Sequence, residues 1–213
     1  MIAGAGEVRR RLLLATRARH KVAELREILD LPGVSFVTPD EVGVEGEPIE
    51  DADTFEGNAA LKARYYAERS GLPTLADDSG LEVEALGGRP GVMTRRYAGP
   101  SATDAENNAL LLSELEGVPP ERRGARYRCV LAFLDPRDGP STVPVFRDGT
   151  FEGRIALESR GHAGFGYDPI FEPLTEPPGA RTVGQMSAAE KHERSHRGKA
   201  GRAMAEHLRA AGW

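Results

Sequence analysis

The sequence predicts an α/β fold, a mixed sheet covered by helices on both faces. Two observations carry this. The amino-terminal half alternates apolar runs of strand length with segments whose apolar residues recur at helical spacing, and a stretch of consecutive strand-like runs follows it. With 213 residues, 39% of them hydrophobic and 29% charged, the chain can bury a core without disulfides or a metal scaffold. That length suits one large α/β domain or two lobes sharing a sheet. The whole chain, residues 1–213, is therefore expected to form a single domain, with residues 1–10 a disordered extension.

Leu12 to Ala15 reads as a buried first strand. After a basic turn, Val22, Leu25, Ile28 and Leu29 share one face of a helix from about Lys21 to Leu29. Ser35 to Thr38 is a second short strand. Asp53 or Thr54 caps a helix that runs to about Ser70 and stops at Gly71, and Pro73 then starts an acidic strand. Thr103-Asp104-Ala105-Glu106 opens a helix through Leu115, with Leu111, Leu112 and Leu115 on its inner face. Segments 126–134, 141–148 and 150–159 read as three consecutive strands. Ser187-Ala188-Ala189-Glu190 opens another helix, and His196 to Ala211 forms the last, with Ala200, Met204 and Leu208 spaced to pack.

Composition excludes several classes of function. A net charge of −5 argues against a protein that coats nucleic acid, because neutralising phosphates over a long footprint needs a basic surface. A local basic pocket for a small anion is still compatible with it. The one cysteine, Cys129, lies in an apolar strand and reads as a core thiol, which disfavours a disulfide-built secreted domain. Leu12-Leu13-Leu14-Ala15 is too short after Arg9 to Arg11 for a signal or membrane segment, so the expected location is the cytoplasm.

The most informative motif is Leu75-Ala76-Asp77-Asp78-Ser79-Gly80-Leu81. Two adjacent acids stand between an apolar run and a glycine turn, where a strand delivers them to a sheet edge. Side chains alternate along an extended chain, so Asp77 faces one way and Asp78 the other, and a hard cation is the simplest partner for them. A solvated turn is an equal reading of this motif alone. Thr16-Arg17-Ala18-Arg19-His20-Lys21 places four basic side chains at a helix start, where free N–H groups and the helix dipole favour phosphate. It is no glycine-rich phosphate loop, since no glycine lies between Ala15 and Gly33. Asn58 and Lys62, four apart, are neighbours on one helical face, and Glu50 before them is a candidate cation ligand. Gly164-Phe165-Gly166-Tyr167-Asp168 combines close backbone approach with a flat ring for stacking and an acid to accept hydrogen bonds from sugar or base. Lys191, His196 and Arg197 flank a helix start and offer donors to a keto group. Each of the last four segments also reads as an ordinary charged or glycine-rich surface when taken alone.

Together and in this order the motifs resemble the inosine triphosphate pyrophosphatase family, the XTP/dITP diphosphatases of non-standard purine nucleotides. The likeness runs from about Leu12 to Leu208. It rests on Thr54-Phe55 with Asn58-Ala59 and Lys62-Ala63, on Ala76 to Leu81, on Gly87-Gly88-Arg89-Pro90-Gly91 with Arg96-Tyr97, on Gly164 to Phe171, and on Ser195-His196-Arg197-Gly198. The resemblance implies a two-lobed fold with an elongated central mixed sheet flanked by helices, a cleft between lobes, and a homodimer. It also implies Mg²⁺-dependent hydrolysis of ITP, dITP or XTP to the monophosphate and pyrophosphate, which keeps deaminated purines out of DNA and RNA. Carried over by position, Asp78 activates water and meets the metal, with Glu50 and Asp77 as its acidic partners. Thr16, Arg17, Ala18, Arg19, His20, Lys21, Lys62 and Ser79 contact the triphosphate. Phe165, Gly166, Tyr167, Asp168, Lys191, His196 and Arg197 form the base and sugar pocket.

The chain departs from the family pattern at Ala18, where asparagine is common, at Gly57, often glutamate, and at Thr94-Arg95, where Ser-Ala is frequent. The expected compensation for Ala18 is the cation group Arg17, Arg19 and His20 beside Lys21. Two other readings compete. A septum-formation (Maf-like) nucleotide pyrophosphatase would prefer pyrimidine triphosphates, and a non-catalytic nucleotide-binding module would lack Asp78 or Lys62, both of which are present.

Overall fold

The computed structural model describes residues 10–213, the side chains of Ala188 and His192 excepted. The extension expected over residues 1–10 lies outside the described residues except at Arg10, which already pairs with Val34 as the first residue of strand β1 (Arg10–Leu14). Helix α1 (Arg19–Leu29) begins before the expected Lys21, and strand β2 (Val34–Val37) follows. In helix α2 (Phe55–Ser70), Thr54 accepts the Gly57 N–H at the start and left-handed Gly71 closes the end, as the cap residues predict. Strand β3 (Thr74–Val83) carries the two acids. Helix α3 (Asp104–Glu114) has the full reciprocal capping box between Thr103 and Glu106. Strands β4 (Gly124–Leu134), β5 (Val145–Ile155) and β6 (Phe171–Pro173) lead to helices α4 (Ala188–Arg194) and α5 (His196–Ala210).

The two strands expected over 141–148 and 150–159 are one strand, β5, which stops at Ile155. Gly149, which falls between the two expected strands, lies in mid-strand. A Cβ there would stand 2.5 Å from the His196 carbonyl and 2.7 Å from the Ala200 nitrogen, so this glycine lets α5 lie against the sheet. Gly80 is likewise no turn. The strand runs straight through it, and a Cβ would meet the Gly91 carbonyl at 2.4 Å and Thr94 Oγ1 at 2.5 Å, where the 91–96 segment crosses β3.

The six strands form one mixed sheet in the order β2-β1-β3-β4-β5-β6, parallel between β2, β1 and β3 and antiparallel beyond. Period-two alternation sorts the core. Leu12, Leu14, Leu75 and Leu131 pack under α1 and α5 on one face, and Leu13, Ala76 and Val130 under α2 on the other. A third cluster, including Leu81, Tyr127, Phe151 and Phe171, fills the antiparallel half. Each buried leucine stabilises this arrangement by roughly 1.5–3 kcal/mol. The site follows from the strand lengths. β3 pairs with β1 only at Thr74 and Leu75, because β1 ends at Leu14 and turns into α1, while β4 accompanies β3 to Val83. A crevice therefore opens beyond the carboxyl end of β1, beside the stretch of β3 that carries Asp77 and Asp78.

Candidate active site

The crevice is a cleft of about 690 Å³, with Thr16, Lys21, Glu50, Lys62, Ser79, Phe165 and Arg197 among its lining residues. As the alternation requires, the acids part to opposite faces of the sheet. Asp78 turns toward α2, where its Oδ1 lies 2.9 Å from Lys62 Nζ and its Oδ2 accepts from Asn58 Nδ2 at 3.4 Å. Burial lifts the Asp78 carboxyl above its ordinary value, and the nearby ammonium does not cancel the effect. For Lys62 burial works downward, yet Asp78, Asp77 and Glu50 together outweigh it and hold the charge. Glu50 reaches the same Lys62 Nζ at 3.1 Å. Asn58 Oδ1 accepts the Ala52 N–H, and Arg96 donates to the Glu50 carbonyl, so the loop that carries Glu50 is tied at both ends.

Asp77 faces α1 and α5. It lies 2.9 Å from Lys21 Nζ and 3.5 Å from Arg197 Nη2, with its side chain 1% exposed. Burial would raise this carboxyl, but Lys21 and Arg197 press it far below the usual carboxylate range. The acidic trio inferred from the resemblance is thus a pair, Glu50 with Asp78, and Asp77 is an internal counter-ion on the other face. Among the described residues no group of three or more His, Cys, Asp or Glu side chains is placed to hold a metal ion.

The basic turn divides in the same way. Thr16, Arg17, Ala18, His20 and Lys21 line the cleft, whereas Arg19 faces a separate shallow groove beside Arg26 and Glu41. Arg17 is committed elsewhere: its guanidinium pairs with Asp40 at 2.8 Å and donates to the carbonyls of Val44 and Gly46 and to the Tyr66 hydroxyl. His20 lies against Phe165, and its pKa is lowered by burial and then by Arg197. The compensating cation cluster expected for Ala18 is therefore not assembled, and Lys21 is the cation of this turn that bridges to the acids. Ala18 is the N-cap of α1 and gives it no side-chain cap, which leaves the first N–H groups of that helix without one.

At the other end of the cleft the Gly164–Asp168 turn is braced from three directions. Asp168 accepts the Phe165 N–H at 2.9 Å and pairs with Lys191 at 2.5 Å, Gly166 donates to Asp104 at 2.7 Å, and the Tyr167 hydroxyl donates to the Thr94 carbonyl at 2.8 Å. Asp168, buried and engaged, braces the turn and has little capacity left for a ligand. Phe165 remains 38% exposed, with Lys191 Nζ 3.8 Å from its ring centre. Arg197 reaches Glu24 at 2.5 Å and donates to Ser79 Oγ at 3.3 Å. His196 does not line the cleft. It is buried and stacked on Tyr127 at 5.0 Å, and burial followed by Arg197 keeps its ring neutral. Sequence reasoning did not find Glu24, Asp104 or Thr94 as parts of this assembly. Asp104 signals only a helix start, and the other two carry no local signal.

A paired acid and ammonium, an uncapped helix start with a lysine in its first turn, and an exposed ring across the cleft define the class. This is an α/β protein with a pocket for a small anion that carries an aromatic group. The chain belongs to the Ham1 family, whose sequence model matches residues 12–207. It is 47% identical over 199 residues to the dITP/XTP pyrophosphatase of Thioalkalivibrio sulfidiphilus, covering 93% of this chain and 98% of that one. It is 49% identical over 201 residues to the protein of the same name from Nitratidesulfovibrio vulgaris, covering 92% and 94%. Among solved structures, a HAM1 protein from Coxiella burnetii superposes with a TM-score of 0.85 at 40% identity, covering 94% of this chain and 99% of that one. These curated relatives are nucleoside triphosphate hydrolases by name.

Proposed function

We propose that the chain hydrolyses non-standard purine nucleoside triphosphates, dITP, XTP and ITP, to the monophosphate and pyrophosphate, and so clears deaminated purines from the nucleotide pool. The observation that carries this reading is the Asp78–Lys62 pair at 2.9 Å, whose lysine lines the cleft, a carboxyl lifted above its ordinary value beside a cation able to meet phosphate. A raised carboxylate is a better proton acceptor at working pH, which is what a general base needs. Water attacks the α-phosphorus, its oxygen bonds to phosphorus as the bond to the bridging oxygen breaks, and Asp78 takes the proton. Lys21 and the uncapped N–H groups of α1 hold the leaving pyrophosphate. Phe165 stacks the base, and Arg197, which borders the cleft, is the candidate donor for a 6-keto oxygen.

Mg²⁺ fits the donor set. Glu50 and Asp78 converge on one point, now filled by Lys62 Nζ at 3.1 and 2.9 Å, and Mg²⁺ is commonly bound by one or two carboxylates together with substrate phosphates. Those two residues would hold it, and when bound it supplies polarisation of phosphate oxygens. A homodimer and a cytoplasmic location complete the reading. No helix among the described residues is long and apolar enough to cross a membrane, and Cys129 is a buried free thiol.

Pyrophosphate release from ITP, XTP, GTP, ATP and pyrimidine triphosphates, each with and without Mg²⁺, tests the reading. Adenine presents an amino group where hypoxanthine has the keto oxygen and would leave the donor unpaired, so ATP is a poor substrate. Comparable kcat/KM for ITP and GTP would overturn this view of the pocket, and preference for pyrimidines would favour the septum-formation class. Light scattering on the purified chain checks the dimer.

A further inference from the structure

The aromatic rings that line the cleft are unequal. Tyr66 and Tyr167 are buried, so Phe165 is the accessible flat face on which a base can stack. That face is already in use. The His20 imidazole lies with its centre 4.6 Å from that of Phe165, tilted by 43°. A stacked purine needs the same layer, since aromatic carbon surfaces meet at about 3.5–4.0 Å, and the two rings cannot share it. We propose that His20 is the placeholder of the base slot: it rests on Phe165 while the cleft is empty, yields that place to the purine, and takes the triphosphate as its new partner. The inference rests on the nucleotide reading given above and adds a link between its two halves.

Three observations support the exchange. Among the described residues nothing hydrogen-bonds the His20 ring, so ring contact is what keeps it in place. His20 stands in the first turn of α1, directly before Lys21, so a turn of its side chain brings it from the base end of the cleft toward the uncapped helix start where phosphate is expected. The charges that face it are Lys21 and Glu24 from α1, Arg197 from α5 and Asp77 from β3, and Lys191 from α4 lies over the same Phe165 ring. Burial, then Arg197 and Lys21, keep the imidazole neutral against the opposing pull of Glu24 and Asp77. A polyphosphate brought beside it reverses that balance and gives a protonated ring a reason to leave Phe165.

The consequence is that a nucleoside without phosphates must displace His20 unaided, whereas a triphosphate removes it. Apparent affinity for the base then falls by the fraction of molecules whose slot is open. Titration of the full chain with inosine, alone and with saturating inorganic tripolyphosphate, measures the link without turnover. In the wild type, tripolyphosphate should tighten inosine by about three- to tenfold. His20→Ala should bind inosine alone tighter by a similar factor and show no further gain from tripolyphosphate. His20→Phe keeps a ring on Phe165 that phosphate cannot attract, and should stay weak for inosine under both conditions. Inosine bound no more tightly by His20→Ala than by the wild type, or a tripolyphosphate gain that survives in either variant, overturns the proposal. Should the wild type neither hydrolyse ITP nor bind inosine under any condition, the base-site reading itself falls and takes the placeholder with it.

Discussion

Asp77 and Asp78 are separated by one peptide bond and by the thickness of the sheet, and their surroundings push them in opposite directions. Asp77 meets two cations, Lys21 and Arg197, in a setting closed to water, and its charge is held more firmly than in solution. Asp78 has one close cation, Lys62, which Glu50 shares, and burial prevails. Adjacent carboxylates thus become a strut and, in the function proposed above, a base. The difference is set by the count of opposing charges against the degree of burial, and the residue type has no part in it. Asp77 joins the two helices of one face: Lys21 of α1 and Arg197 of α5 both lean on it, and Gly201 of α5 passes close enough to Ile28 that a Cβ would stand 2.5 Å from its Cγ2. Asp78 lies on the α2 side with a single cationic partner, Lys62, that lines the cleft and that a ligand can borrow.

Removal of each carboxylate breaks the comparison in its own way, and Asp78→Asn has the largest expected effect. The amide keeps the volume but cannot take a proton, so turnover of ITP should fall by about 10²–10⁴. Lys62 loses one acid but keeps Glu50, and burial already disfavours the Asp78 charge, so the loss of stability should be smaller than for Asp77→Asn. A variant that turns over ITP within a few-fold of the wild type at saturating Mg²⁺ would strip Asp78 of its role.

Asp77→Asn should act first on stability. It leaves Arg197 with Glu24 alone and releases Lys21, and loss of one partner from a buried pair costs about 3–5 kcal/mol. The lower end is expected, since Arg197 keeps one acid and the Lys21 side chain, 23% exposed, can turn to water. Urea unfolding measures it. Full stability with turnover lost would exchange the two assignments.

Acid sharpens the same contrast with opposite signs. The Asp77 value lies below its ordinary 3.8, so its contribution to stability is present above pH 3.8 and is lost as pH falls from there toward the folded-state value. Asp78 lies above 3.8, so its contribution is present below pH 3.8 and is lost as pH rises through the folded value. Urea stability measured from pH 2 to 7 should therefore lose part of its acid limb in Asp77→Asn, the rest belonging to other carboxylates held low such as Glu172 and Asp135, and keep the limb whole in Asp78→Asn. A limb of equal size in both variants would place the Asp77 share of the titration elsewhere.

How far the sequence reached also divides along β3. The α2 side was legible because its signals are local. Thr54 and Gly71 bound the helix, Asn58 and Lys62 sit four apart on it, and the acids alternate along a strand. The α1 and α5 side depends on Lys21, Glu24, Asp77 and Arg197, in which the bonded pair Glu24 and Arg197 stand 173 residues apart, and no spacing announces such a cluster. The basic turn misled for a related reason. Composition counts cations but does not aim them, and Arg17 was drawn away by Asp40 and two carbonyls while Arg19 faced the outer groove. Gly80 suggested a turn, and Gly149 fell between two expected strands, because a glycine kept for close approach has the same one-letter signal as a glycine kept for its backbone freedom.

The smallest expected effect concerns Ala18, where α1 differs from its neighbours. Thr54, Thr103, Ser187 and Ser195 each give a helix a side-chain cap, whereas α1, which carries Lys21 to Asp77, starts at an alanine without one. Ala18 already has the extended backbone of a capping residue, with φ −71° and ψ 105°, so Ala18→Asn needs no rearrangement. The variant should gain about 1 kcal/mol in urea unfolding. If those N–H groups are also where the polyphosphate end of the ligand sits, cap and ligand satisfy the same donors and the gain should shrink when tripolyphosphate saturates the protein. The measurement is a four-way comparison of wild type and variant with and without tripolyphosphate. An equal gain in both conditions would mean that the start of α1 is empty by default rather than reserved for an anion, and Lys21 would then serve Asp77 alone.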